Sequence, residues 1–170
     1  MADPVYDVEV IVRALVQHEV DFIVVGGVCA VLQGVPLATF DMDLVHSREP
    51  DNLSRLLAAL QSLGAYYRGQ GDRRIKPTIP HLASPGHQLL MTNAGPLDVF
   101  GTITGDLTYE DLLPNTSRFE VVDGLWVTAL NLETLIETKE AAGRDKDKFA
   151  LPVLRRTLEE RNKGRPSESS

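Results

Sequence analysis

Two aspartates one residue apart, Asp41 and Asp43, stand in the run Thr39-Phe40-Asp41-Met42-Asp43-Leu44-Val45. The run reads as a strand over about 39–45. Residues two apart on a strand share a face, so the two carboxylates project side by side. Carboxylates that close repel each other unless something positive lies between them. A third acid, Asp98, stands in Leu97-Asp98-Val99-Phe100, set between apolar neighbours on another expected strand. Alone, such an acid would face solvent on the open side of a sheet. Three of them on adjacent strands make a set of hard oxygen donors. Such a set suits two Mg2+ (or Mn2+) ions, which bridge substrate phosphates.

A glycine pair precedes them. Phe22-Ile23-Val24-Val25 is a short apolar block that ends at Gly26-Gly27, the pattern of a buried strand meeting a turn that backbone must approach closely. Without a Cβ in the way, the backbone N–H groups of such a turn can cradle phosphates. Gly26-Gly27 fits neither a Walker A loop nor the dinucleotide fingerprint. A calcium loop starting at Asp41 would need glycine at position 46 and glutamate at position 52, where His46 and Asn52 stand. The Asp-x-Asp opening of haloacid-dehalogenase-type phosphatases resembles Asp41-Met42-Asp43. It needs a buried strand before it and a glycine turn after it, and Val35-Pro36-Leu37-Ala38 is a poor strand with no glycine following Asp43. His18, His46, His81 and His87 are scattered, with no i, i+4 pair that would suggest zinc.

The elements that must position these residues follow from periodicity. Over 5–18, Val8, Ile11, Val12 and Leu15 form the stripe of an amphipathic helix that Asp3 or Asp7 can cap. Val28 to Gln33 is a short apolar helix stopped by Gly34 and Pro36. Asp51 or Asn52 is expected to cap a helix with Leu53, Leu56, Leu57, Leu60 and Leu63 inward, closed by Gly64. Strands are expected at Ala65–Arg68, Gln88–Thr92 and Leu97–Gly101, with Pro77, Pro80 and Pro85 keeping 76–87 loop-like. Phe119–Val122 and Leu125–Thr128 flank Asp123-Gly124, a strong hairpin signal. Asn131 is expected to cap a helix over 132–142, and Pro152 either kinks a last helix over 146–162 or marks its first turn. Helices mixed with hairpin-spaced strands predict an α/β (α+β) fold, a mixed sheet flanked by helices.

At 170 residues the chain suits one core, expected over 1–130, with a helical segment 131–163 packed on it and a disordered polar tail 164–170. No apolar run approaches a bilayer span, the N-terminus lacks a signal-peptide layout, and the single Cys29 fits a reducing compartment, so the expected location is cytoplasmic. Cys29 itself reads as a small buried hydrophobe. The net charge of −7 is unevenly spread. Residues 1–138 hold 8 basic and 18 acidic side chains, whereas 139–170 hold 9 basic and 6 acidic. Arg68, Arg73, Arg74 and Lys76 make a second basic cluster. Local patches steer a polyanion more than the total does, so the overall acidity leaves RNA and nucleotides open as ligands. Arg73, Arg74 and Lys76 are either a solvated loop cluster or a contact for a triphosphate or RNA backbone.

Apolar-Gly-Gly, then Asp-x-Asp between apolar residues, then a lone apolar-Asp-apolar resembles the signature of the nucleotidyltransferase fold. From about residue 20 to 150 the chain looks most like the AbiEii/MenT-type nucleotidyltransferase toxins. Gly26-Gly27-Val28-Cys29-Ala30, Thr39-Phe40-Asp41-Met42-Asp43-Leu44 and Lys139-Glu140-Ala141-Ala142-Gly143-Arg144-Asp145-Lys146-Asp147 carry that resemblance. Pro36-Leu37-Ala38 stands where that group has an arginine, and Asp145 where it commonly has a proline. The resemblance implies transfer of a nucleoside monophosphate from an NTP to an acceptor, with release of pyrophosphate. Asp41, Asp43 and Asp98 would be the metal ligands, and with Lys139 the catalytic residues, Asp98 also the general base. Gly26, Gly27, Arg74, Lys139, Arg144 and Asp147 would bind the nucleotide and its phosphates. The implied acceptor is RNA, a tRNA 3′ end, in a toxin–antitoxin system with a cognate antitoxin. A small-molecule acceptor of the antibiotic type, or a non-catalytic binding role, are the alternatives.

Overall fold

The computed structural model describes residues 7–164, and the elements below are those found among them. In chain order they are α1 (Val8–Gln17), β1 (Phe22–Val25), α2 (Gly26–Leu32), β2 (Met42–His46), α3 (Pro50–Ser62), β3 (Tyr66–Tyr67), α4 (Ile79–Ala83), β4 (His87–Thr92) and β5 (Gly95–Phe100). There follow β6 (Thr102–Ile103), β7 (Leu107–Thr108), α5 (Tyr109–Leu112), β8 (Thr116–Val122), β9 (Leu125–Leu130), α6 (Leu132–Ala142) and α7 (Asp145–Lys163). Strands β3-β4-β5-β2-β1-β9-β8 form one sheet in that order, and β6 and β7 pair apart from it. The sheet is mixed, as expected: β2 runs parallel to β5 and antiparallel to β1, and β1 is parallel to β9.

The central strands are placed by what they bury. Every residue of β1 is buried, and Leu44, Leu97 and Val99 have no exposed surface. These side chains leave water together with Ile11 and Leu15 of α1 and Leu56 and Leu60 of α3. Truncating one such leucine to alanine costs roughly 2–5 kcal/mol. Asp7 caps α1, its carboxylate accepting the Val10 N–H at 3.3 Å. The Asp3 alternative lies outside the described residues, as does the tail from 165 on.

Several local expectations are corrected. Strand β2 begins at Met42, so Asp41 sits in the bend before it rather than on the strand. Neither Asp51 nor Asn52 caps α3: Glu49 occupies that position and Pro50 opens the helix, where its missing N–H costs nothing. Asn52 is instead buried, bonding the backbone of Asp21 and Ser47 and so fixing the start of β1 against the end of β2. The proline-rich 76–87 stretch contains α4, capped by a Thr78–His81 box with Pro80 in its first turn. Asn131 stands at the head of α6, but its side-chain oxygen accepts the Ser117 hydroxyl at 2.7 Å rather than capping the helix. Pro152 lies inside α7, which runs from Asp145 through it.

Candidate active site

Gly26 closes β1 and opens α2 with φ +68°, a conformation that favours glycine. A Cβ there would run into the Asp43 carboxylate, with Cγ only 3.1 Å away. A Cβ on Gly27 would lie 2.6 Å from the Thr39 hydroxyl. The glycine pair therefore lets the 39–43 segment press directly on the turn. Thr39 Oγ1 donates to the Asp41 carbonyl at 3.0 Å and shapes the bend from which Asp41 projects.

Asp43 and Asp98 are register partners on the parallel strands β2 and β5. With Asp41 they bring one carboxylate oxygen each to within 4.8 Å of one another, close enough for a single metal ion to touch all three. Asp98 is the most buried, 6% exposed. It also has a basic partner: Arg68 Nη1 donates to Asp98 Oδ1 at 2.6 Å and to the Leu90 carbonyl at 2.6 Å. Arg68 follows β3, and its backbone N–H bonds the Leu89 carbonyl directly across from Asp98.

A second polar group lies on the helical side. Lys139, near the end of α6, donates to Asp147 Oδ1 at 3.1 Å, and Arg144 Nε donates to Asp147 Oδ2 at 2.9 Å. Gly143, at φ +61°, ends α6 and turns the chain into α7 so that the three can meet. Asp147 is 2% exposed. Burial pushes its carboxyl up, but the hydrogen bonds and charges of Lys139 and Arg144 outweigh this and hold it below the usual carboxylate range. Asp147 thus ties Lys139 and Arg144 together, and all three line the same cleft.

Members of both groups line one cleft of about 380 Å³, which Asp98 and Arg68 do not line. Its lining includes Gly26, Gly27, Asp41 and Asp43 together with Lys139, Arg144 and Asp147. Thr104 Oγ1 donates to the Thr138 carbonyl at 3.3 Å and ties α6 to the sheet side. Arg74 does not line the cleft; its guanidinium lies 4.2 Å over the Tyr66 ring. Sequence reasoning passed over two residues. Phe40 lines the cleft while 79% exposed, a costly place for an apolar ring. Arg68 was grouped with the loop cations, and only the register of β3, β4 and β5 sets it against Asp98. Cys29 is fully buried, its thiol bonded to the Leu130 carbonyl and pushed up to about 12 by burial.

No protein-family model matches this sequence, and no curated protein matches it. Solved structures do match it in fold. The candidate nucleotidyltransferase TM1012 from Thermotoga maritima superimposes with a TM-score of 0.55 at 17% identity, covering 88% of this chain and 89% of that one. The antibiotic-resistance factor ANT(2'')-Ia does so with a TM-score of 0.58 at 16% identity, covering 89% and 82%. The fold is that of the nucleotidyltransferases. At these identities the likeness concerns fold alone. In this fold Gly26-Gly27 follows β1, Asp41 precedes β2, and Asp43 of β2 lies beside Asp98 of β5.

Proposed function

We propose that the chain is a metal-dependent nucleotidyltransferase that moves a nucleoside monophosphate from an NTP to an acceptor hydroxyl. The observation that carries this reading is the cluster of Asp41, Asp43 and Asp98, the first two of which line a cleft together with Lys139 and Arg144. The three carboxylates fit Mg2+ or Mn2+: all are hard oxygen donors, and one oxygen of each comes within 4.8 Å of the others. Bound there, divalent metal supplies charge neutralisation for the triphosphate and acidifies the acceptor hydroxyl.

The residues of the chain divide the remaining work. Lys139 and Arg144, fixed by Asp147, offset the negative charge that the triphosphate brings. The Gly26-Gly27 turn leaves room for phosphate against the backbone. The acceptor oxygen bonds to the α-phosphorus, the bond from that phosphorus to the bridging oxygen breaks, and pyrophosphate leaves. Asp98 takes the hydroxyl proton. Phe40, at the cleft mouth, offers a ring on which a base can stack.

The acceptor we infer is RNA. Arg73, Arg74 and Lys76 are exposed on the segment that follows Arg68, whose guanidinium reaches Asp98. The resemblance to the AbiEii/MenT-type toxins favours a tRNA 3′ end and a cognate antitoxin. The fold shared with ANT(2'')-Ia favours a second reading, a small-molecule acceptor. Incubation with each α-³²P-labelled NTP and total RNA, then with small amino-alcohol acceptors, tests both. Label on RNA that disappears with Asp41→Asn supports the first, and label on a small acceptor alone supports the second. No transfer to either leaves only a binding role.

A further inference from the structure

Side chains alternate between the two faces of a strand, and residues paired across a ladder share a face. Along β3, β4 and β5 this rule separates two surfaces. Leu90, Leu97 and Val99 point into the core with no exposed surface. Tyr66 opposite Met91, Leu89 opposite Asp98 and His87 opposite Phe100 lie on the other face, with Arg68, whose N–H bonds the Leu89 carbonyl, among them. That face is open: Leu89 is 46% exposed, His87 is exposed, and Tyr66, Met91 and Phe100 are half-buried. The Arg74 guanidinium lies over the Tyr66 ring, and the His87 ring lies 4.3 Å from that of Phe100. Asp98 is the one acid at these paired positions, and Arg68 holds it.

We propose that this face is an acceptor platform, on which unpaired nucleotides at the end of an RNA stack beside Asp98. The inference rests on the reading of the acceptor as RNA, and adds which surface of the chain takes it and in what form. Continuity with the site comes through β5: Phe100 lies two residues beyond Asp98 on the same face and lines the cleft that Asp41 and Asp43 line. The composition of the face selects its occupant. A duplex turns its base faces inward and would meet the cations alone, leaving Leu89, Met91 and the rings in water. A single strand brings base faces to the Tyr66–Arg74 stack, Leu89 and the His87–Phe100 pair, and phosphates to the exposed Arg73 and Lys76. An apolar protein surface would leave those cations unanswered.

The test measures binding, by fluorescence anisotropy of a short single-stranded RNA labelled at its 5′ end and of the same strand annealed to its complement. Wild type, Tyr66→Ser, Tyr66→Phe, Leu89→Ser and Trp126→Ala are compared, each with a melting curve. Trp126, on β9 and 44% exposed, is an exposed ring outside the platform. Wild type should bind the single strand more tightly than the duplex. Tyr66→Ser should weaken single-strand binding about fivefold or more, and Leu89→Ser should weaken it as well, while Tyr66→Phe and Trp126→Ala bind as wild type does. Leu89 is exposed enough for serine to leave the fold intact, so this variant decides the matter if Tyr66→Ser melts early. If wild type transfers label to RNA and the serine variants bind the single strand as wild type does, the platform is overturned and the RNA acceptor stands. A duplex bound as tightly as the single strand overturns the platform too. Dimerisation of wild type that Leu89→Ser abolishes, with RNA affinity unchanged, makes the face an interface between copies instead. If neither RNA form binds and no RNA takes label, the RNA reading fails and the platform with it.

Discussion

Asp43 and Asp98 lie side by side across the parallel ladder of β2 and β5, and on its other flank Asp98 faces Leu89 of β4. Arg68 bonds the Leu89 carbonyl, so a single row across the sheet runs from a cation through one aspartate to the next. The row ends at Val25, the register partner of Asp43 and the residue before the glycine turn. Asp43, Asp98 and the Leu89 carbonyl that holds the Arg68 backbone are thus placed by strand register, while Asp41 and the glycine pair come from the bend and turn beside it.

Gly26→Ala is expected to be costly twice over. The left-handed backbone penalises any Cβ, and that Cβ meets the Asp43 carboxylate. The stability loss should be roughly 1–3 kcal/mol by urea unfolding, and transfer activity should fall more than stability alone explains. An alanine variant with unchanged stability would show that the turn relaxes freely.

Lys139→Ala takes one of its two cations from buried Asp147 and leaves Arg144. A loss of about 1–3 kcal/mol is expected, and the double variant Lys139→Ala/Asp147→Asn should recover part of it in a double-mutant cycle. Because Asp147 is held below its ordinary value of 3.8, its contribution is present above that pH and fades as the pH falls through the lower folded value. Asp147→Asn should therefore flatten the acid limb of a melting-temperature profile.

His46 is 1% exposed, and burial lowers its affinity for a proton below that of an ordinary imidazole at 6.5. In the unfolded chain it protonates near 6.5 while the folded form resists, so stability is full above that pH and declines as acid is added below it. Between pH 7.5 and 5, wild type should lose more melting temperature than His46→Gln. Parallel curves would remove His46 from the acid sensitivity.

Phe40→Ala should change stability by less than about 0.5 kcal/mol, since the ring is mostly in solvent. Base–aromatic stacking is worth roughly 1–3 kcal/mol. The variant should accordingly weaken nucleotide or RNA binding about fivefold or more, read by fluorescence anisotropy of a labelled ligand. Retained affinity would make the ring a bystander.

The acidic pair and the glycine turn were legible in sequence because each is local: identity and spacing within a few residues fix what they can do. The fold class was legible from period and hairpin signals. Arg68 against Asp98 was not, because it depends on the register of three strands far apart in sequence. The prolines around α4 were read as excluding a helix. Pro80 falls in the first turn, where no intrahelical N–H bond is lost. Asn52 looked like a cap by its place before a leucine stripe, yet its amide is spent on Asp21 and Ser47. The hold that both oxygens of Asp147 keep on Lys139 and Arg144 was not legible either, because it depends on the turn at Gly143.

The sealed thiol of Cys29 has a practical use. With that sulfur fully buried and its proton retained up to about pH 12, maleimides have no thiolate to attack in the folded chain. The wild-type protein is therefore a ready-made silent background for site-specific labelling. A Gln70→Cys substitution on the exposed segment after Arg68 would take a single fluorophore without first removing a native cysteine.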